Sequence, residues 1–442
     1  MSPASRPALA CDAAEAALSG GTGLARQCHD CGMMLRLHPQ AVGVDSRCPR
    51  CGAVLRRHHA RPLDAPFALA LASLMLCAMS LSMPFLTLRL LGQVRGSRIE
   101  SGASAFAEDG LWLLAIVVVV TLVLVPLARL MLRLTVLGGL HLRHPPPWLG
   151  PRLMIPALRW HGHLGAWTML EVFLFGALVS YTRLVDLAEV ELGPAVYGLG
   201  AVVLALVAAD AMFEPQAAWD AMEARGMMAP HTRLARPGTA RSLSCHSCRR
   251  VTRAPDGAGC PRCGATLHHR KPNSVARSWA LLFAAAVLYI PSNYYPVMNI
   301  ITLGRGGPHT ILGGVVEFVH TGFWPLALIV FLASVAVPML KLVGLGIMLM
   351  SIRRRSTRNL RRKTQLYRVV EALGRWSMID VFVVSVLIAL VRFGAIASIH
   401  AEVGAACFGA VVILTMIAAE CFDPRLMWDA AGANEQEAAR PR

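Results

Sequence analysis

The stretch GRWSMIDVFVVSVLIALVRF, residues 374–393, has the length and apolar composition of a membrane span, yet it contains Asp380. About 20 apolar residues are enough for an α-helix to cross a bilayer. A carboxylate at the centre of such a helix costs roughly 2.5–3.5 kcal/mol on insertion scales. The stretch therefore predicts a membrane protein with a buried charge, and that charge needs an explanation.

The rest of the chain has the same character. Its 442 residues are 55% hydrophobic, and the mean hydropathy is +0.52. These values and the repeated apolar runs predict an α-helical polytopic membrane protein. The predicted spans lie near residues 66–88, 110–137, 165–185, 195–214, 277–302, 323–351, 376–399 and 403–421. The first residues have no long apolar core, so no cleavable signal peptide is expected.

Eight of the twelve cysteines form four CxxC pairs. They are arranged as Cys28-x2-Cys31-x16-Cys48-x2-Cys51 and Cys245-x2-Cys248-x11-Cys260-x2-Cys263. Four thiolates at such spacing hold one tetrahedral ion, most often Zn2+, and leave no open position for catalysis. We therefore predict two structural zinc ions. Rubredoxin-like iron has the same ligand set and remains an alternative. A thioredoxin-like redox pair would need a βαβ context that the sequence lacks.

The two halves of the chain repeat each other. CPRCGAVLRRHH at 48–59 returns as CPRCGATLHH at 260–269. Other landmarks recur after 209–212 residues: Pro84 and Pro296, Pro126 and Pro338, Trp167 and Trp376, MFEP at 212–215 and CFDP at 421–424. A nearly constant shift over so many landmarks indicates a tandem duplication, in which each half is a small four-cysteine zinc ribbon followed by four transmembrane helices.

This repeat predicts the organisation of the whole chain. The segments are a disordered N-terminus (1–24), zinc ribbon 1 (25–60), transmembrane block 1 (61–225), a linker (226–242), zinc ribbon 2 (243–271), transmembrane block 2 (272–430) and a disordered tail (431–442).

Basic residues predict the orientation. The formal net charge is +17, and RRRSTRNLRRKTQLYR at 353–368 contains eight basic residues and no acidic one. Such a segment is typical of a cytoplasmic loop, and contact with anionic lipid is compatible with it. No aromatic platform accompanies the charge, so nucleic acid is not an expected partner. We expect both termini, both ribbons and the basic loops 138–164 and 353–375 to be cytoplasmic.

Each half places a carboxylate in its third span. Asp380 follows Ser377 by three residues, and its counterpart Glu171 follows Thr168 by three. Residues at i and i+3 share a helix face. Each third span is therefore predicted to carry a small polar patch.

The preceding span of each half supplies a cation. Lys341 lies three residues after Pro338, and Arg129 lies three residues after Pro126. We predict that Lys341 pairs with Asp380 and that Arg129 pairs with Glu171. Such pairs are either structural salt bridges or titratable pairs coupled to proton movement. The second half is favoured as the working site because lysine can lose its proton and arginine cannot.

Two further stretches of the second half attract attention. PSNYYPVMN, residues 291–299, contains two prolines and Asn293, which predicts a broken helix that lines a cavity. ILGGVVEFVHTGFW, residues 311–324, is either a helix on the outer membrane surface or a simple extension of the sixth span.

With these residues in view, the chain resembles the paraquat-inducible protein A family (PqiA/LetA) of Gram-negative inner membranes. The resemblance covers roughly residues 25–430. It is carried by the two CxxC…CPRCG units, Pro291-Ser292-Asn293…Pro296-Val297-Met298, Gly314-Val315-Val316-Glu317, Val337-Pro338-Met339-Leu340-Lys341 and Trp376-Ser377-Met378-Ile379-Asp380-Val381-Phe382.

The resemblance implies an inner-membrane subunit that passes phospholipids to or from a periplasmic MCE-domain tunnel protein. It also implies a role for the membrane lysine and for the aspartate of the Asp-Val-Phe motif, here Lys341 and Asp380, in activity and proton coupling. The first half departs from the family motif, since it has Arg129 and Glu171 at these positions.

Other functional classes are weighed against this one. The sequence has no Walker A motif, nucleophile constellation or open metal site, so an enzyme is not expected. The main alternative is a self-contained proton-coupled transporter of a small molecule. A third class is a metal-dependent redox sensor, whose CxxC thiols would oxidise readily in cells.

Overall fold

The structure is a computed structural model. It describes residues 24–38, 41–90, 92–185, 188–228, 241–302, 305–320, 322, 324–393 and 397–434. Most of the predicted disordered ends, 1–24 and 431–442, and most of the predicted linker 226–242 lie outside these residues.

Among the described residues, eight helices are long and apolar enough to cross a membrane, as the sequence predicts. We number them as spans 1 to 8: Asp64–Ser82, Trp112–His141, Pro151–Val185, Pro194–Met212, Ser274–Tyr294, Ala327–Arg353, Leu360–Leu390 and Val403–Cys421. Span 1 starts beside the first cysteine cluster. Odd-numbered spans therefore start, and even-numbered spans end, on what we call the module side. The opposite side is called the far side.

Several spans are composite, and short helices flank them. The bounds of these pieces are Ser101–Glu108, Trp112–Val119, Val120–Leu124 (π), Val125–His141, Pro147–Leu149 (3-10), Pro151–Leu164, Gly165–Trp167 (3-10), Leu170–Val185, Pro215–Ala224, Ile311–His320, Trp324–Phe331, Leu332–Ala336 (π), Val337–Arg353, Leu360–Leu373, Gly374–Met378 (3-10), Ile379–Leu390 and Arg425–Ala430.

In the part of the chain that the structure describes, twelve short strands form five antiparallel sheets. The strands are β1 (Leu24–Gln27), β2 (Met34–Leu37), β3 (Asp45–Arg47), β4 (Val54–Arg57), β5 (Leu86–Leu90), β6 (Gln93–Ser97), β7 (Glu189–Leu192), β8 (Arg241–Ser244), β9 (Val251–Ala254), β10 (Met298–Thr302), β11 (Arg305–His309) and β12 (Ala397–Ala401). On the far side, β6-β5-β7 and β11-β10-β12 form one three-stranded sheet in each half.

These far-side sheets correct three predicted spans. The predictions 66–88, 277–302 and 376–399 each ran into an apolar strand, namely β5, β10 and β12. Apolar strands cannot be told from a helix end by hydropathy alone. The stretch 291–299 is corrected with them. Span 5 continues through Pro291 to Tyr294, and the chain then enters the sheet.

The basic segments are more helical than predicted. Span 3 begins at Pro151, inside the predicted loop 138–164, and span 7 begins at Leu360, inside the predicted loop 353–375. Both helix starts are amphipathic, so their basic residues can face water while apolar residues face the protein. Apolar periodicity, and not a continuous apolar run, is the signal of such a helix.

Spans 2 and 6 each contain one turn of π-helix. Val120–Leu124 precedes Pro126, and Leu332–Ala336 precedes Pro338. The proline ring clashes with the carbonyl four residues earlier and removes one hydrogen bond. A π-turn relieves this locally, and the Ser334 hydroxyl donates to the Val330 carbonyl at 2.7 Å within it.

Residues 311–320 form a helix of their own. Gly322, with φ +82°, lies in the turn that separates this helix from span 6, so the alternative of a simple extension is wrong. The first half has the counterpart helix Ser101–Glu108. A Cβ atom on Gly102 would lie 1.8 Å from the Ser385 hydroxyl, so this helix lies tightly against span 7.

The halves join along spans 3 and 7. Span 7 is the most enclosed span, with 78% of its window buried. A Cβ on Gly176 would lie 3.2 Å from that of Phe382, and the Ser180 hydroxyl donates to the Val383 carbonyl at 3.2 Å. Small residues let two helices approach closely in a membrane.

The cysteine-rich segments are small β-hairpin units, which we call module 1 (residues 24–57) and module 2 (residues 241–267). The core of each module packs against the end of the other half of the chain, an arrangement that we call crossed seating. The cysteine core of module 1 packs against Trp428, at the end of the second half, and that of module 2 packs against Trp219, at the end of the first. The ion pair of Arg368 with Asp30 of module 1, at 2.6 Å, follows the same rule. Arg56 of module 1 instead binds Asp220, at the end of the first half, at 3.1 Å.

Candidate functional site

The eight paired cysteines form two compact clusters, as predicted. Within each cluster the four sulfur atoms lie within 4.8 Å of one another, and all eight residues are buried. The distances between sulfur atoms are 3.5 Å for Cys28–Cys51 and 3.6 Å for Cys31–Cys48. In module 2 they are 3.5 Å for Cys245–Cys263 and 3.6 Å for Cys248–Cys260. A tetrahedral ion with bonds of about 2.3 Å needs sulfur separations of about 3.8 Å. Each cluster therefore fits a metal ion.

The electrostatics of the clusters support the same conclusion. A guanidinium nitrogen of Arg368 lies 3.4 Å from the sulfur of Cys51 and donates to its carbonyl at 3.1 Å. Ligands oriented in this way suit a structural ion that holds a small module together.

Lys341 is 99% buried in span 6, and its surroundings differ from the prediction. Its Nζ donates to the Gly374 carbonyl at 2.8 Å and to the Thr415 hydroxyl at 3.4 Å. Within the part of the chain that the structure describes, no carboxylate lies within 4 Å of this nitrogen. The predicted Lys341–Asp380 ion pair is therefore wrong.

The helix register explains the error. The carboxylate of Asp380 interacts with the hydroxyl of Ser334 and with the charge of Arg183. The ammonium group of Lys341 donates instead to the carbonyl of Gly374. Spans 6 and 7 are antiparallel. The level of Lys341 and Gly374 is therefore separated from the level of Ser334 and Asp380 by seven residues along span 6 and six along span 7. At 1.5 Å per residue this is about 10 Å, or two helical turns.

The polar patch on span 7 is incompletely satisfied. Ser377 is fully buried, and among the described residues its hydroxyl has no hydrogen-bond partner. The Oδ2 atom of Asp380, on the same face, is also buried without one. Buried polar atoms in folded proteins are nearly always paired, so two adjacent exceptions mark a site. Asn293 lies at the far-side end of span 5, where its amide donates to the Tyr289 carbonyl at 2.8 Å.

In the first half, the cation has a different partner from the predicted one. Arg129 binds Asp210 of span 4 at 2.7 Å, and Arg133 binds the same carboxylate. Glu171 instead binds Arg375 of the second half at 2.9 Å. The predicted Arg129–Glu171 pair is therefore wrong, because spans 3 and 7 adjoin and Glu171 faces across the junction.

The remaining predicted residue of this half is Thr168. It is buried in the middle of span 3, just after the 3-10 turn Gly165–Trp167, and its hydroxyl donates to the Leu164 carbonyl at 3.2 Å. Its role is therefore local in this structure, unlike that of Ser377.

Three site residues were missed from the sequence. Asp210 and Arg183 are single charges near the ends of apolar spans, which is a readable signal. Thr415 gave no signal, since a lone threonine in a span is common. The residue that matches Asp210 in the second half is Ala419, so Lys341 lacks the carboxylate that Arg129 has.

Comparison with known proteins places these features in a family. The profile of "Paraquat-inducible protein A" matches this sequence twice, over residues 63–223 and 275–432. The chain belongs to the paraquat-inducible protein A family. The two matched ranges cover spans 1–4 and spans 5–8 respectively.

Curated relatives of the family match nearly end to end. The chain is 34% identical to "Intermembrane transport protein PqiA" of Escherichia coli K12 over 415 residues, which is 93% of this chain and 97% of the relative. It is 30% identical to "Lipophilic envelope-spanning tunnel protein A" of the same organism, over 92% and 91%. A "Probable intermembrane transport protein" of Haemophilus influenzae is 26% identical, over 87% and 90%. No solved structure matches the chain.

These relatives agree with the architecture. Eight candidate membrane helices and relatives named for intermembrane transport make this chain a multi-pass membrane protein of a transport family. The two four-cysteine clusters give it two sites that can hold metal ions.

Proposed function

We propose that this protein is the inner-membrane subunit of an intermembrane phospholipid transport system. In this proposal it passes lipids between the inner membrane and a periplasmic MCE-domain tunnel protein. The observation that carries the proposal is the 34% identity over 93% of the chain to a relative named for intermembrane transport.

The polar site of spans 6 to 8 supplies the proposed mechanism. Lys341 is buried, and its nitrogen contacts two neutral oxygen atoms. An uncompensated charge in a span is costly, so the amine is suited to gain and lose a proton during a cycle. Among the described residues, Ser377 and Asp380 each have a buried oxygen atom without a hydrogen-bond partner. These atoms lie about one and two helical turns from the level of Lys341, and a proton can be held at either.

The same proposal includes the organisation of the chain. It is a tandem duplication in which each half is a zinc ribbon and four spans, and the ribbons and both termini are cytoplasmic. The far-side sheets β6-β5-β7 and β11-β10-β12 then face the periplasm, where they offer exposed strand edges to a tunnel protein. Zinc at the two clusters has a structural role.

The test is purification of the tagged full-length protein from native membranes in mild detergent. Mass spectrometry then identifies the proteins and lipids that copurify. A stoichiometric MCE-domain protein together with phospholipid is the expected result. A protein that copurifies with neither contradicts the proposal and favours a self-contained transporter of a small molecule.

A further inference from the structure

A cleft of about 430 Å3 opens on the module side of the first half. Its walls come from four places: strand β4 of module 1, residues 246–249 of module 2, the helix before Trp167 in span 3, and the chain after span 4. The ends of membrane spans lie at the level of lipid headgroups. Trp160, 62% exposed beside the lining residue Arg159, is suited to that level as well.

The lining of this cleft is strongly basic. It contains four arginines, Arg56, Arg57, Arg159 and Arg249, against one carboxylate, Glu214. Arg56 binds Asp220 at 3.1 Å. In the described part of the chain, the guanidinium groups of the other three have no ion-pair partner. Unpaired guanidinium groups converging on one concave surface are the arrangement that binds phosphate.

Two buried residues add neutral hydrogen-bonding groups. Gln216 is 95% buried, it lines the cleft, and its Oε1 has no partner among the described residues. His161 is also 95% buried, and its Nε2 accepts a hydrogen bond from Arg133 Nε at 3.2 Å. Because arginine only donates, the proton of a neutral His161 lies on Nδ1. The cleft thus offers donors for a phosphate oxygen and an acceptor for a hydroxyl.

The equivalent cavity in the second half serves as an internal comparison. It measures about 210 Å3, and its lining contains three cations and three carboxylates. Here Arg425 stands in the place of Gln216 and binds Asp423 at 2.8 Å. Burial raises the pKa of Asp423, but the hydrogen bonds and charge of Arg425 outweigh it, so the pKa lies below its usual value. The fold alone therefore does not require a cationic cleft.

From this difference we infer that the first-half cleft binds a phosphate-bearing anion, with arginines on the phosphate and Gln216 on a neighbouring hydroxyl. An anionic lipid such as phosphatidylglycerol and a soluble glycerol phosphate share this chemistry. The cleft is separate from the Lys341 site, so the inference goes beyond the proposed function and does not depend on it.

The test is native mass spectrometry of the full-length protein in detergent with phosphatidylglycerol, phosphatidylcholine or glycerol phosphate. Arg57→Gln/Arg159→Gln removes two positive charges from the cleft. Arg354→Gln/Arg358→Gln removes two from the exposed basic segment and is the matched control. Gln216→Glu keeps the side-chain shape and adds a negative charge that should repel the phosphate. If the double variant fails to fold, anion binding by Gln216→Glu is the test of the inference.

Phosphatidylglycerol is expected to bind the wild type and the control alike. The cleft variants should bind it at least about tenfold more weakly, since the loss of one charge-assisted hydrogen bond to the phosphate weakens binding by about that factor or more. Glycerol phosphate binding as tightly as the lipid supports the site and identifies a soluble ligand. The inference is overturned if the wild type, the cleft variants and the control bind phosphatidylglycerol and glycerol phosphate equally well. It is also overturned if phosphatidylcholine binds every variant as tightly as phosphatidylglycerol does.

Discussion

The ammonium nitrogen of Lys341 lies 2.8 Å from the carbonyl oxygen of Gly374, at the start of the 3-10 turn that precedes Asp380. In the first half, Arg129 occupies the same position beside Gly165, where an added Cβ would lie 3.3 Å from its guanidinium. Only the first-half cation also has a carboxylate, Asp210, among the described residues. The two halves share a geometry and differ in charge compensation.

Lys341→Met and Asp380→Asn should each abolish lipid exchange at normal protein abundance. Both changes preserve volume and remove a titratable group from span 6 or span 7. Exchange of labelled phospholipid in reconstituted vesicles measures the effect, and immunoblotting measures abundance. Arg129→Lys is a suitable comparison, because Asp210 still compensates the charge. Wild-type exchange in both variants would remove these groups from the mechanism.

Ala419→Asp should inactivate the protein without unfolding it. Residue 419 lies one turn after Thr415, which contacts Lys341, so the new carboxylate can reach the amine. A permanent ion pair then holds the lysine charged, as Asp210 does for Arg129. Ala419→Asn has the same size and no charge, and it should retain far more exchange activity. Identical activity in the two variants would show that compensation of Lys341 is unimportant.

Asp210→Asn should destabilise the first half by about 1–3 kcal/mol, because the buried Arg133 and its neighbour Arg129 lose their only carboxylate in the described chain. The effect is below that of a fully buried pair, since the Asp210 side chain is 37% exposed and water screens it. The measurement is thermal unfolding in detergent. Glu191→Gln is the control, since its pair with Arg89 at 3.1 Å is 50–56% exposed and contributes about 0–1 kcal/mol. Similar shifts in both variants would contradict the role of Asp210 in compensating the buried charge of Arg133.

Gly193→Ala and Gly404→Ala should both lower the unfolding temperature. Each glycine starts a final span of its half, and an added Cβ would lie 2.1 Å from the Pro84 carbonyl oxygen or 2.4 Å from that of Pro296. A backbone carbonyl cannot move aside as a flexible side chain can. Gly200→Ala is the control, since nothing lies within 4 Å of its Cβ position. Unchanged stability in the first two variants would refute this close packing.

Metal analysis should find two ions per chain, one in Cys51→Ser and none in Cys51→Ser/Cys263→Ser. A four-cysteine module with a small core depends on its ion for folding. Because module 1 packs on Trp428, its loss should expose residues 425–434 to protease and leave residues 215–224 protected. Cys263→Ser should reverse the pattern. Cleavage of the same half in both variants would exclude the crossed seating.

The spans and the cysteine clusters could be predicted from the sequence because each depends on local composition or spacing. Cys28 and Cys51 are brought together by two short knuckles. The ends of the spans were less predictable, since β5 and β10 carry apolar residues that continue the apolar run of the helix before them. The separate helix 311–320 could be identified as one of two alternatives but not decided.

The contacts of the polar residues could not be predicted, because they depend on helix register and on which halves adjoin. Lys341 and Asp380 are on neighbouring antiparallel spans, yet a shift of two turns separates them. Glu171 finds Arg375, 204 residues away, across the junction of the halves. A sequence repeat indicates which residues of the two halves are equivalent, but it does not indicate which residues are in contact where the halves pack together.

The crossed seating of the modules has a consequence during synthesis. Module 1 leaves the ribosome first, yet Trp428, on which its core packs, is among the last described residues to be made. The apolar face of module 1 therefore stays uncovered until span 8 and Trp428 have been made. A nascent chain that stalls before residue 428 would leave that face open to chaperones and proteases, so module 1 can reach its packed state only after Trp428 has been made.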